Sequence, residues 1–271
     1  MTDKLAGLFP VRKPIIGMVH AMPTPGAPRA RTCDVNAIYD HGLEEALRLK
    51  KGGIDGILIE NAGDVPFLRP EQIGYETVGV LSVLGRMIVR ETGLPVGFNI
   101  VANAALASLA CSKASGASFV RANQWANAYV ANEGLLNGAA ADAQRYRAKI
   151  DADDIAVLAD VHVKHGSHAI VDDRPVAEQA RDVAFFQADV AIATGLRTGH
   201  AASLEEIAEV REGSRLPTIV GSGLSAENAK AILTAADGAI VGVSLKPGGD
   251  MWGPTDPARV ARLMDIVAGL R

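Results

Sequence analysis

Residues 217–249 read PTIVGSGLSAENAKAILTAADGAIVGVSLKPGG, and the pattern in this window recurs along the chain. An apolar run at 217–221 ends in the turn Gly221-Ser222-Gly223. A segment with Ser225 as N-cap then carries Ala229, Ile232 and Leu233 at helical spacing, and a second apolar run follows at 238–242. Working outward, six earlier runs rich in Val, Ile and Ala occupy 14–20, 56–60, 95–99, 118–123, 155–162 and 189–194. Helical periodicity fills 36–52, 76–92, 102–115, 175–187 and the segment from Pro257 onward. Several of these end on glycines that supply the left-handed residue helix C-termini favour. Eight continuous apolar strands separated by helices predict a parallel sheet covered on its outer side and closed into a (β/α)₈ TIM barrel, with residues 1–271 as one domain. The rival open doubly wound sheet normally announces itself with a GxGxxG after its first strand, and none follows 14–20.

Composition agrees with this class. At 271 residues and 48% hydrophobic content, the chain is long enough to bury one large core. The 27 basic and 31 acidic residues give a net charge of −4 without a basic stripe, which argues against a nucleic-acid partner. Cys33 and Cys111 lie far apart without CxxC spacing, and MTDKLAGLFPVRKP at the N-terminus is broken by charge and proline. The expectation is a reduced, cytoplasmic compartment. No run of about 18 uncharged apolar residues occurs, so no integral membrane contact is expected. The alanine-rich outer helices suit a homo-oligomer.

In a barrel the active site lies at the C-terminal ends of the strands. This sequence places polar residues there on nearly every strand: His20, Glu60-Asn61, Asn99, Arg121 and Asn123, Asp160 and His162, and Thr194. Alternation within a strand predicts that Asp160, His162 and Lys164 share one face, and that Arg121 shares one with Asn123. Barrel interiors also hold purely structural ion pairs, and Glu60 with Arg121 is open to that reading. As a set, however, so many ionisable groups are costly to bury without a functional reason. Glu60, Asp160, His162, Lys164, Arg121 and Asn99 are therefore the candidate catalytic groups, and His20, Asn61, Asn123 and Thr194 the candidate substrate contacts.

A second constellation follows the last two strands. Gly221 and Gly223 let the backbone approach an anion, and Ser222 offers a hydroxyl. Gly242, Val243 and Ser244 present amides at the start of a short extra helix, and Lys246 adds charge. This order of turns predicts a phosphate site and a small phosphorylated metabolite as partner. No cofactor is predicted. Asp160, His162 and Glu60 leave room for a divalent metal, although no HExxH or cysteine cluster supports one.

Several segments are also specific to a known family. IIGMVHAMPTPGAP (15–28), GIDGILIENAGDVPF (53–67), VGFNIVANAALASLA (96–110), FVRANQWANAYVANEGLLNG (119–138), LADVHVKHG (158–166) and DGAIVGVSLK (237–246) resemble the BtpA/SgcQ family, in order and through nearly the whole chain. The family's ENxGDxPF segment stands here as Glu60 to Phe67, and its ADVxVKH segment as Ala159 to His165. Val243 stands where relatives carry Thr, which removes one hydroxyl from the phosphate turn. The resemblance implies a ribulose-phosphate-binding type of barrel. The family takes its name from a photosystem I biogenesis factor, while relatives in non-photosynthetic bacteria accompany carbohydrate genes.

Two functions follow as expectations. The first is an enzyme acting on a phosphorylated sugar-like metabolite by general acid–base chemistry, as a lyase, aldolase or isomerase, or in a hydrolytic variant. Glu60 or Asp160 would be the base and His162 or Lys164 the acid, with Arg121 and Asn99 orienting an enolate-like oxygen. The second is a non-catalytic assembly factor of the photosystem I biogenesis type that uses the barrel as a scaffold.

Overall fold

The structure is a computed structural model that describes residues 3–31, 34–195 and 197–271; Cys33 lies outside the described residues. Its strands are β1 (Ile15–His20), β2 (Gly56–Glu60), β3 (Val96–Asn99), β4 (Phe119–Ala122), β5 (Ala128–Ala131), β6 (Gly134–Asn137), β7 (Ala156–Asp160), β8 (Val190–Ala193), β9 (Thr218–Val220) and β10 (Gly238–Val241). Eight of them form a closed parallel barrel in the order β1-β10-β9-β8-β7-β4-β3-β2, while β5 and β6 pair as a separate antiparallel hairpin. The TIM barrel expected from the eight apolar runs is therefore present, with one barrel strand in each run.

The helices are α1 (Lys4–Leu8), α2 (Val35–Lys51), α3 (Tyr75–Thr92), α4 (Ala105–Ser115), α5 (Ala140–Lys149), α6 (Val176–Phe185), α7 (Leu204–Ser214), α8 (Ala229–Ala235) and α9 (Pro257–Ala268). Gly93 and Gly116 end α3 and α4 at φ +64° and +82°, the left-handed conformation expected of them. The helix expected from Ser225 starts instead at Ala229. The Asn228 side chain accepts from Ser225 N and donates to Gly223 O, which folds the preceding residues into a turn. No helix among the described residues is long and apolar enough to cross a membrane.

Strand register is fixed at the N-terminal rim by a repeated device. Asp55, Asp189 and Asp237 each precede a strand, and each carboxylate accepts from the first-turn amide of a neighbouring strand: Ile15, Val157 and Thr218, all at 2.8 Å. Inside the barrel, Ile16, Met18, Leu58, Phe119, Leu158, Ile192, Ile219 and Ile240 form the packed core. Leu5 of α1 and Phe9 close it from below, and the Phe9 ring packs 6.1 Å from that of Phe119. Burial of each such aromatic stabilises the fold by about 1.5–3 kcal/mol. A barrel filled this way has no through-pore, and the strand-end polar residues lie above this layer, at the opposite rim.

Candidate functional site

The inward residues of the core fix which side chains reach that rim. Two positions beyond Met18, Leu58, Gly97, Phe119, Leu158, Ile192, Ile219 and Ile240 stand His20, Glu60, Asn99, Arg121, Asp160, Thr194, Gly221 and Gly242. Above them lies a cavity of about 550 Å³, the size of a small-molecule site. Of the residues singled out in the sequence, His20, Glu60, Asn99, Arg121, Asn123, Lys164, Gly221, Ser222, Gly223, Gly242, Val243 and Ser244 line it.

Asp160 does not line the cavity; it stands behind Arg121 and holds it. Its carboxylate accepts from Arg121 Nε and a terminal guanidinium nitrogen, both at 3.1 Å, from Asn123 Nδ2 at 3.2 Å and from Thr194 Oγ1 at 2.8 Å. Arg121 also reaches Gly221 O at 3.4 Å. With both oxygens engaged and the side chain fully buried, this carboxylate is placed to position Arg121 and Asn123 rather than to take a substrate proton. Thr194, committed to Asp160, likewise stays out of the cavity.

Glu60 is the carboxylate that faces the cavity. One oxygen accepts from Asn99 Nδ2 at 2.8 Å, and the side chain is only half-buried. Lys164, just beyond β7, is the cation opposite it. Its ammonium makes no hydrogen bond or ion pair with any described residue, and burial together with the Arg121 charge lowers its pKa to about 8 against the pull of Glu60 and Asp160. Burial also lowers the pKa of His20, so its imidazole stays neutral near pH 7 despite Glu60 nearby.

The turns after β9 and β10 form the facing wall. The amides of Gly223, Leu224, Val243 and Ser244 find no acceptor among the described residues. Both serine hydroxyls are engaged by the protein: Ser222 Oγ accepts from Gly199 N in the loop after β8 at 3.1 Å, and Ser244 Oγ donates to Leu224 O at 2.6 Å. Gly223 sits at φ +78°, and a Cβ there would come within 2.1 Å of Ala201 N. Lys246, read in the sequence as charge for this turn, points away. It forms a buried 3.0 Å ion pair with Glu45, whose carboxylate also accepts from Thr255.

Three further expectations are corrected by the geometry. Asn61 is buried outside the cavity: its side chain accepts from Val101 N and donates to Asp64, which in turn binds Thr24, so the ENxGDxPF segment braces three loops. His162 does not share a face with Asp160 and Lys164, because β7 ends at Asp160 and the alternation lapses. Val163 turns to the cavity while the His162 ring packs 3.8 Å from that of His168. Trp125, just after β4, is 1% exposed and its indole donates to Phe186 O. Among the described residues no group of three His, Cys, Asp or Glu is arranged to hold a metal, so Glu60, Asp160 and His162 do not form one.

The roof of the cavity was not among the sequence expectations. The β5–β6 hairpin brings Tyr129, Ala131, Asn132 and Glu133 to the cavity. It is stitched to the loop after β7 by paired hydrogen bonds between Val130 and Ser167 and by stacking of Tyr129 on His168 at 5.4 Å. A signal is present: the apolar-bearing segments at 128–131 and 134–137 flank Asn132-Glu133, and Gly134, which opens the second, takes φ +97°. His165 also lines the cavity, with Nε2 2.9 Å from Thr198 Oγ1.

Among solved structures, the chain superposes on N-(5'-phosphoribosyl)anthranilate isomerase of Pyrococcus furiosus with a TM-score of 0.58 at 14% identity, covering 95% of this chain and 99% of the other. Thiamine phosphate pyrophosphorylase of the same organism gives 0.56 at 15% identity over 99% and 98%. At this identity the likeness establishes the barrel fold alone. Closer in sequence are an uncharacterized protein of Archaeoglobus fulgidus, 36% identical over 96% of this chain and all of the relative, and an uncharacterized mitochondrial protein of Caenorhabditis elegans, 34% identical over 95% and 94%. The photosystem I biogenesis protein BtpA of Synechocystis is 31% identical over 96% of this chain and 90% of that protein. With the family pattern matched across residues 11–269 as well, the chain belongs to the BtpA family.

Proposed function

We propose that the barrel mouth binds a small phosphorylated, sugar-like metabolite and transforms it by general acid–base chemistry, in a lyase, aldolase or isomerase mode. The observation that carries this reading is the free amide set of Gly223, Leu224, Val243 and Ser244, in one cavity with an accessible carboxylate and an unpaired amine. Free amides in two turns that line one cavity are suited to a phosphate, which needs several donors and no bulky side chain between them. Glu60 is the better base because Asp160 is saturated, and Lys164 is the better acid because His162 lies outside the cavity. A lysine with its pKa near 8 is also poised to exchange a proton at neutral pH. Arg121, fixed by Asp160, supplies a rigid positive charge for a developing oxyanion.

The name of the Synechocystis relative suggests a second reading, a non-catalytic assembly factor. Tyr75 and Phe185, 95% and 80% exposed and outside the cavity lining, would be its aromatic contact points.

A thermal-shift series with inorganic phosphate and with pentose and hexose phosphates separates the two. A ligand at about 100 times its Kd stabilises by roughly 2.7 kcal/mol. Gly223→Ala should abolish the shift, since its Cβ collides with the Ala201 backbone and its φ is unfavourable for alanine. With a turned-over ligand in hand, Glu60→Gln should lower kcat by about 10² or more. Silence across the panel, phosphate included, would leave the scaffold reading.

A further inference from the structure

Resting on the phosphate reading above, a second feature of the same cavity defines the other end of the ligand. Asn99 and Asn123 both line it, both are more than nine-tenths buried, and the Oδ1 of each has no hydrogen-bond partner. The orientation of these amides is not a matter of choice. Asn99 Nδ2 points at Glu60 Oε2 and Asn123 Nδ2 at Asp160 Oδ2, and a carboxylate can only accept, so in each residue the nitrogen faces the acid and the carbonyl oxygen is left over. A buried carbonyl without a donor is costly, and two in one cavity, at the end of β3 and just beyond β4, amount to a preference for something that donates.

Their position in the ring sharpens this. In the order β1-β10-β9-β8-β7-β4-β3-β2, the strands β3 and β4 that lead to Asn99 and Asn123 lie four places from β9 and β10, directly across the barrel from the free amides. The cavity thus carries free backbone donors on one wall and, on the other, the two asparagine carbonyls beside the Arg121 guanidinium, with the Glu60 carboxylate held by Asn99. We infer that Asn99 and Asn123 are specificity residues for hydroxyl donors. The ligand is a phosphate ester of a polyhydroxylated chain, its phosphate on the β9–β10 turns and its hydroxyls donating to the two asparagine carbonyls. A phosphate ester with an alkyl or purely accepting tail would leave both carbonyls unpaired and bind poorly. The two oxygens are closed to bulk water in this structure, so a ligand hydroxyl reaches them as overlying side chains give way.

The test compares inorganic phosphate, n-pentyl phosphate and pentitol 5-phosphates by titration calorimetry on the full chain. The pentitol phosphates match the alkyl ester in carbon number and differ only in hydroxyls. The expected result is that at least one pentitol phosphate binds about tenfold or more tightly than pentyl phosphate, and that Asn99→Ala and Asn123→Ala erase this preference while affinity for inorganic phosphate is retained. If inorganic phosphate binds but pentyl phosphate equals or exceeds every pentitol phosphate, the hydroxyl assignment is overturned and the anion site stands. If none of the three binds, the phosphate reading and this one fall together. A pentitol preference that survives both substitutions would overturn the assignment to these carbonyls, and the wild-type series tests the hydroxyl preference even where a variant does not fold.

Discussion

Asp160 holds Arg121 through two hydrogen bonds of 3.1 Å, with the carboxylate fully buried and the guanidinium 2% exposed. Truncating one member of such a pair leaves a buried charge uncompensated. Asp160→Ala is therefore expected to destabilise the fold by about 3–5 kcal/mol, read as a lower urea midpoint at unchanged m-value. Asp160→Asn, which can still accept from Thr194, should cost less. A loss under about 1 kcal/mol for the alanine variant would mean the pair is not the anchor of this rim, and would reopen Asp160 as a base.

The barrel was legible because each strand is a local signal: a run such as 189–194 declares itself without knowledge of its neighbours. The strand-end polar residues were legible for the same reason, but their partners were not. Nothing near Asp160 in the sequence announces that Arg121 and Thr194, 39 and 34 positions away, consume its oxygens, or that Lys246 turns to Glu45 across 201 residues. His162 was misplaced by a subtler cause. The sequence VHV continues the alternation of β7, but the partner strands β4 and β8 end at Ala122 and Ala193, and without a ladder the pleat is lost.

Lys164 should betray its burial through pH. Its pKa is lowered from 10.5 to about 8, so between those values the unfolded chain holds the proton and the native state does not. Stability contributed through this group therefore rises as pH climbs from about 8 toward 10.5, and at pH 7 the charged amine is a net penalty. Lys164→Met is expected to be more stable than the parent at pH 7, with the gap in melting temperature closing by pH 10. A gap that is constant across this range would place the ammonium in water.

The roof should respond to acid. His162 has its pKa lowered from 6.5 to about 4 by burial and by the adjacent His168, against the opposing charge of Asp172, and burial lowers His168 as well. Here too the unfolded state binds more protons, now between pH 4 and 6.5, so stability falls as pH drops through that window. Protection of the Val130 and Ser167 amides, which join hairpin and loop, taken as the exchange rate relative to the intrinsic rate at the same pH, is expected to fall below pH 6 ahead of that of the barrel strands. His162→Asn should flatten that loss of protection; an unchanged loss in the variant would assign the acid response to another group.

Gly97 links the core to the site. A Cβ there would lie 2.3 Å from the Phe119 ring, and that ring cannot retreat because Phe9 packs on it from below. Gly97→Ala should therefore cost about 1–3 kcal/mol through overpacking. In the Phe119→Leu background the same change should cost far less, giving a coupling of about 1 kcal/mol or more in a double-mutant cycle of urea midpoints. Additive losses would instead blame the backbone of β3. The cycle also bears on function: Asn99 stands two residues beyond Gly97 on the same face, so an alanine that pushes β3 outward moves the Asn99 carbonyl and the Glu60 carboxylate it holds. Restoring the packing with Phe119→Leu should bring ligand binding back together with stability.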